Sequence, residues 1–195
     1  MMYNFFQRSA NIMAYLGGLM LTALVVLTCA SILGRTVNGM MHSDAMMSVA
    51  PDLAKWALSL GVGPINGDFE LVEAGVAFAI FAFLPICQLA GAHAVVDIFT
   101  TGLSEKNNRR LQAVIDILFA LIILLIAVQL FAGMQSKINS GQVSLLLQFP
   151  VWWGYAFSMV GAAVTTVITI YIATIRVVEA VKNQDILPQP QGADH

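Results

Sequence analysis

Charge is scarce in this chain. Asp, Glu, Lys and Arg make up 10% of its 195 residues, while 58% are hydrophobic. An average soluble domain carries about 25% charged residues. So few charges cannot coat a soluble surface, which points to an integral membrane protein. Basic runs are absent and the net charge is −2, which excludes a nucleic-acid binder. Only three histidines occur, His42, His93 and His195. A haem-carrying bundle needs paired axial histidines at membrane depth, and no such pair can form. The two cysteines, Cys29 and Cys87, lie inside apolar runs. They make no disulfide framework, zinc knuckle or iron–sulfur site, and Cys29 sits too deep for a lipoprotein cysteine. No metal-ligand spacing and no nucleophile with a nearby base appears, so neither an enzyme nor a cofactor is expected.

The remaining charges punctuate the apolar runs. None lies between Arg8 and Arg35, between Glu73 and Asp97, between Asp116 and Lys137, or between Lys137 and Arg176. A helix needs about 20 apolar residues to span a bilayer. The runs predict four spans, near 12–33, 71–90, 111–134 and 151–175, with Pro150 dividing the longest stretch. The first run is too long for the apolar core of a cleaved signal and lacks a small-residue cleavage site. The expected fold is an all-α membrane protein, a four-transmembrane-helix bundle forming one domain over 1–182.

Loop cations set orientation. Arg8, Lys106, Arg109, Arg110, Arg176 and Lys182 fall on one side, and Arg35, Lys55 and Lys137 on the other. Both termini are therefore expected to be cytoplasmic. The periplasmic loop 36–69 is long for a helix connection. Leu53, Trp56, Ala57 and Leu60 share one helical face there, which suits a helix lying in the bilayer interface. It would serve as a simple cap on the bundle or as a docking element. The tail 183–195, with Pro188 and Pro190, is polar and reads as disordered.

Polar residues gather at span ends. Arg35 and Asn38 close the first span, and Glu70 and Glu73 open the second on the same side. An Arg–Glu pair there would tie the two helices. His93 and Asp97, four residues apart, share a face at the far end of the second span. Asp116 lies about 7.5 Å into the third span, where it can reach water or pair with Arg109 or Arg110. Pro85 is the proline inside a span, and its freed carbonyl must be satisfied by a neighbour. Four-span multidrug exporters require an acidic residue deep in their first span, and none is present. Gly154, Ser158, Ala162 and Thr166 recur every four residues in the fourth span, and Gly161, Thr165 and Thr169 form a second small-residue row. Gly17, Gly18 and Thr22 do the same in the first span. Such rows permit close helix approach, either within the bundle or against another subunit.

Taken in order, these features resemble the small membrane subunit (DctQ type) of tripartite ATP-independent periplasmic (TRAP) transporters. The pattern runs through Arg35-Thr36-Val37-Asn38, then Phe69-Glu70-Leu71-Val72-Glu73, then His93-Ala94-Val95-Val96-Asp97. It ends on Gly141, Ser144, Pro150 and Trp152, followed by Trp153 and Tyr155. Many members carry a Trp before the Glu-Leu pair, which this chain lacks, and 39–67 is longer than in the shortest members. The resemblance implies a subunit without a substrate site in the cell inner membrane. It would brace a large elevator-type subunit in a sodium-driven importer of organic acids, served by a periplasmic binding protein. Arg35, Asn38, Glu70, Glu73, His93, Asp97, Trp152 and Trp153 would then be interface or lipid-anchoring groups. Two other readings remain open. One is a homo-oligomeric channel or exporter with Asp116 or Gln129 lining a pathway, and the other is an anchor for a membrane enzyme.

Overall fold

The computed structural model describes residues 2–91, 104–184 and 186. Its elements are α1 (Met2–Met41), α2 (Asp44–Val49), α3 (Pro51–Ser59), α4 (Asp68–Ala90), α5 (Glu105–Ser140) and α6 (Trp152–Lys182). The four long helices α1, α4, α5 and α6 are long and apolar enough to cross a membrane. Each covers one of the expected apolar runs, with Val151 just ahead of α6, and extends past it at one end or both. With 40 and 36 residues, α1 and α5 measure about 60 and 54 Å. That exceeds a hydrocarbon core of ~30 Å, so their ends stand in the headgroup layer or beyond.

The long helices pack as a row, in the order α1, α4, α6, α5. The two outermost, α1 and α5, bring no Cα atoms within 8 Å of one another among the described residues. Along α1 the buried positions Ala10, Gly17, Leu24 and Ser31 recur every seven residues. In α5, Ala113, Ala120 and Ala127 do the same. In α6, Ser158, Thr165, Ile172 and Glu179 keep the same interval and are all buried. Seven residues fall about 20° short of two full turns, so a seam with this period favours a shallow left-handed crossing. The small residues on the seams bring the backbones close. Gly17 faces Ala82 and Phe83, and Gly75 faces Leu24, which sets α1 and α4 antiparallel. Gly154 faces Ala74 and Gly161 faces Phe81, which sets α4 and α6 parallel. Gly133 of α5 lies against the ring of Tyr155 in α6.

One contact follows from a proline. Pro85 is buried inside α4 and has no N–H to give to the carbonyl four residues earlier, that of Phe81. Gly161 of α6 lies directly over that peptide unit, where a Cβ would stand 2.8 to 2.9 Å from its atoms. Beside it, Thr165 Oγ1 donates to the Gly161 carbonyl at 2.8 Å and lies 3.5 Å from the Phe81 carbonyl. The freed acceptor thus faces a hydroxyl on the neighbouring helix.

The four-residue row of α6 divides between surroundings. A step of four residues advances 40° around a helix, so Gly154 to Thr166 turns through about 120°. Gly154 meets α4, while Ser158, Ala162 and Thr166 are buried within the chain. Ala173, on the same face as Ala162 and Thr166, lines a cleft between α5 and α6 with Ala120 and Leu124.

The long loop holds two short helices. Ser43 caps α2, accepting from the Met46 N–H, and Pro51 opens α3 with its pre-set φ. Ala54 is buried, whereas Leu53, Trp56 and Leu60 are exposed, as expected of an apolar face turned toward lipid or a partner.

Replacing Gly161 by Ala is expected to push α4 and α6 apart and destabilise the fold by about 1–3 kcal/mol. Gly18→Ala, where nothing lies within 4 Å of the new Cβ, should be neutral. Thermal unfolding of the two variants in detergent checks the contrast.

Candidate functional site

Two polar clusters clamp opposite ends of the row. At the first, α4 begins at Asp68, earlier than the apolar pattern suggests. Ser31 of α1, fully buried, donates to Asp68 Oδ2 at 2.6 Å and accepts the Ile65 N–H at 3.3 Å. Both capacities of one hydroxyl are used between α1 and the loop entering α4. One turn on, Gly34 lies against the carbonyl of Gly63, and Asn38 Nδ2 donates to the Val62 carbonyl at 2.8 Å. Together Ser31, Gly34 and Asn38 hold residues 62–65 against the end of α1.

The expected Arg35–Glu pair takes a different form. Arg35 approaches Asp68 at 3.9 Å, with its side chain 59% exposed. Glu70 instead accepts the N–H groups of Leu146 and Leu147 at 2.8 and 2.9 Å. The reason is angular: two residues along a helix turn through 200°. With Asp68 facing α1, Glu70 points to the far side of α4. There it meets the α5–α6 loop, whose two consecutive amides converge on one carboxylate. That loop is a tight hairpin. Gly141 ends α5 in the left-handed conformation at φ 61°, Val143 bridges Pro150, and Gln148 takes a φ of 56°. The Gly141, Ser144 and Pro150 of the sequence pattern are thus turn-forming residues. Ser144 N–H bonds the Phe149 carbonyl at 2.9 Å. Trp152 and Trp153 follow, edge to face with ring centres 6.3 Å apart. Trp153 and Glu73 are exposed.

At the other end, three helices meet through charge. Gln88 of α4, nearly fully buried, donates to Asp116 Oδ1 of α5 at 3.1 Å. Arg176 Nε of α6 lies 3.6 Å from Asp116 Oδ2, and Arg176 Nη1 donates to Glu179 Oε2 at 2.9 Å. Glu179, 1% exposed, also accepts the Ile186 N–H at 2.6 Å and so draws the chain beyond α6 back onto the helix. Asp116, whose spacing suggests Arg109 or Arg110, thus also lies against Arg176 of another span. The distant helix supplies it because α5 and α6 run antiparallel. Arg109 donates to the carbonyl and side chain of Asn183, the residue ending α6, a position that favours a cation. Nearby, Phe6 of α1 packs on Tyr171 of α6 with ring centres 4.5 Å apart. His93 and Asp97 lie outside the described residues.

Asp68, Ser31, Gln88, Arg176 and Glu179 escape a reading by span ends. The pair Arg176–Glu179 had a local sign, opposite charges three residues apart on one helix. Asp68 had none until the α1–α4 register was known.

The family model for the DctQ component of tripartite ATP-independent periplasmic transporters matches residues 24–180, well over half of the chain. The chain belongs to this family. It is therefore a small membrane component of a TRAP transporter, and the family is one of transporter components, not of enzymes. The matched region covers the clamp side chains from Ser31 to Glu179 and all of α4 and α5. Comparison with curated proteins and with solved structures gave no significant match.

Two substitutions separate the clamps. Glu179→Ala leaves the half-buried Arg176 with Asp116 alone and the Ile186 N–H without its acceptor, and is expected to cost about 1–3 kcal/mol of stability, read by thermal melting. Glu70→Gln removes one of two acceptors from the hairpin. Amide exchange at Leu146 and Leu147 should accelerate while that of Ile123, buried in α5, stays unchanged.

Proposed function

We propose that this TRAP small subunit acts as a fixed brace in a sodium-driven importer of organic acids. A periplasmic binding protein would deliver the substrate to a large elevator-type membrane subunit, and the present chain would widen that subunit's stationary part. The observation that carries the reading is how its polar side chains are used. Ser31, Asp68, Gln88, Asp116, Arg176 and Glu179 hold elements of the chain to one another. That is what a rigid support requires, and an ion or substrate path requires groups left available instead. Asp116, the residue a proton relay would use, is tied to Arg176 and Gln88.

The loop cations support a bacterial inner-membrane location with both termini cytoplasmic. The Asp116 clamp then faces the cytoplasm and the Asp68 clamp the periplasm. On that side the exposed Arg35 guanidinium is placed to meet a lipid phosphate or the large subunit. Asn38, Glu70 and Glu73 act beside it, Trp152 and Trp153 anchor the same interface, and His93 and Asp97 act at the opposite one. The apolar face of α3 rests on the outer leaflet. Substrate and sodium sites belong to the large subunit.

Arg35→Ala is expected to lower recovery of the complex with the large membrane subunit severalfold, while the chain still inserts and accumulates. Sodium-dependent uptake by proteoliposomes holding both membrane subunits and the binding protein should fall in parallel. Unchanged recovery and uptake would remove Arg35 from the assembly. Uptake or conductance by this chain alone would overturn the brace reading.

A further inference from the structure

The helix α5 carries two seams. On one, Ala113, Ala120 and Ala127 are buried. Gln129 lies about 160° to 180° around the helix from Ala120 and Ala127, on the opposite face. Leu118, Ile122, Leu125, Gln129, Ala132 and Ser136 follow one another there at steps of four, three, four, three and four, and all are exposed. That alternation is the spacing of a helix-packing seam, and among the described residues no helix covers it.

One residue says what must cover it. The charge-free stretch between Asp116 and Lys137 is 20 residues, about 30 Å long, and matches the hydrocarbon thickness of ~30 Å. Gln129 lies eight residues before Lys137, about 12 Å from the interface. Its side chain is too short to snorkel that far. It is exposed and, among the described residues, makes no side-chain hydrogen bond. The exposed hydroxyl of Thr22 in α1 handles the same problem locally, donating to the Gly18 carbonyl at 2.8 Å. A carboxamide facing lipid tails would keep several hydrogen-bonding capacities unmet, at a cost of a few kcal/mol. In membranes such amides join helices.

We propose that this outer seam of α5 is the docking face for a transmembrane helix of another membrane-embedded component of the transporter. That helix presents a backbone carbonyl, hydroxyl or amide to Gln129 at mid-depth. The occupant is taken to be a different chain because the family supplies components of a multi-part transporter. The seam also lies on an end helix of the row, where the row can be continued. The inference rests on the assembly reading above and adds the face that reading lacks.

The test co-expresses this chain with the large membrane component of the same transporter. The photo-reactive residue p-benzoylphenylalanine is placed at Leu125 or Ala132 on the seam, or at Phe131, which is exposed and lies about 120° from Leu125 and about 100° from Ala132. Complex formation is followed independently by affinity capture. The expected result is crosslinking to the large component from Leu125 and Ala132, and little from Phe131. Gln129→Leu should weaken the captured complex about three- to tenfold, Gln129→Asn should recover part of the loss, and neither should lower the melting temperature of this chain alone. A captured complex without seam crosslinks, or seam crosslinks joining two copies of this chain, overturns the proposal while leaving the family assembly intact. Failure to capture the large component at all removes the assembly reading, and the seam assignment with it.

Discussion

Hydrocarbon offers no hydrogen bonds, so every polar group at membrane depth must be satisfied by protein. The arrangement of this chain follows from that constraint. Pro85 removes one backbone donor, and the bare Phe81 carbonyl is covered by α6, where Gly161 allows the approach and Thr165 brings a hydroxyl. Asp116 and Arg176 stand near the end of their spans and neutralise one another, with Gln88 and Glu179 completing the set. At the opposite end Ser31 is saturated by Asp68 and Ile65. Each of these groups connects different segments, so satisfying the polar atoms also decides which elements stay together.

Packing supplies the rest. Lipid tails are as apolar as leucine, so helices associate through close contact and not through escape from water. Alanine, glycine, serine and threonine at seven-residue intervals let the backbones approach in shallow crossings. The result is a row with α4 and α6 at its centre and most large apolar side chains of α1 and α5 turned outward. A row exposes more lateral surface than a closed square of the same helices. That shape suits the bracing role proposed above.

Much of this was legible in the residues. Charge-free runs marked α1, α4, α5 and α6, because a charge in hydrocarbon is costly wherever it sits. Leu53, Trp56 and Leu60 marked α3 by their shared face. Gly141, Ser144 and Pro150 marked the hairpin without revealing that Glu70 would hold it. Arg35 meets Asp68 and not a glutamate because α4 starts at Asp68, and two residues along a helix reverse the direction of a side chain. The contact of Asp116 with Arg176 needs the facing helix, which spacing along the chain does not give.

The sequence by itself determined the number of spans, their order and the family, since these depend on local apolarity and on spacing along one chain. Only the tertiary structure decided the α1–α4–α6–α5 order, the partners of Asp68, Glu70 and Asp116, and the helix face left uncovered. Those depend on the angle at which each helix meets its neighbour, and rotating a helix by one residue step, 100°, exchanges every partner without altering a single apolar run.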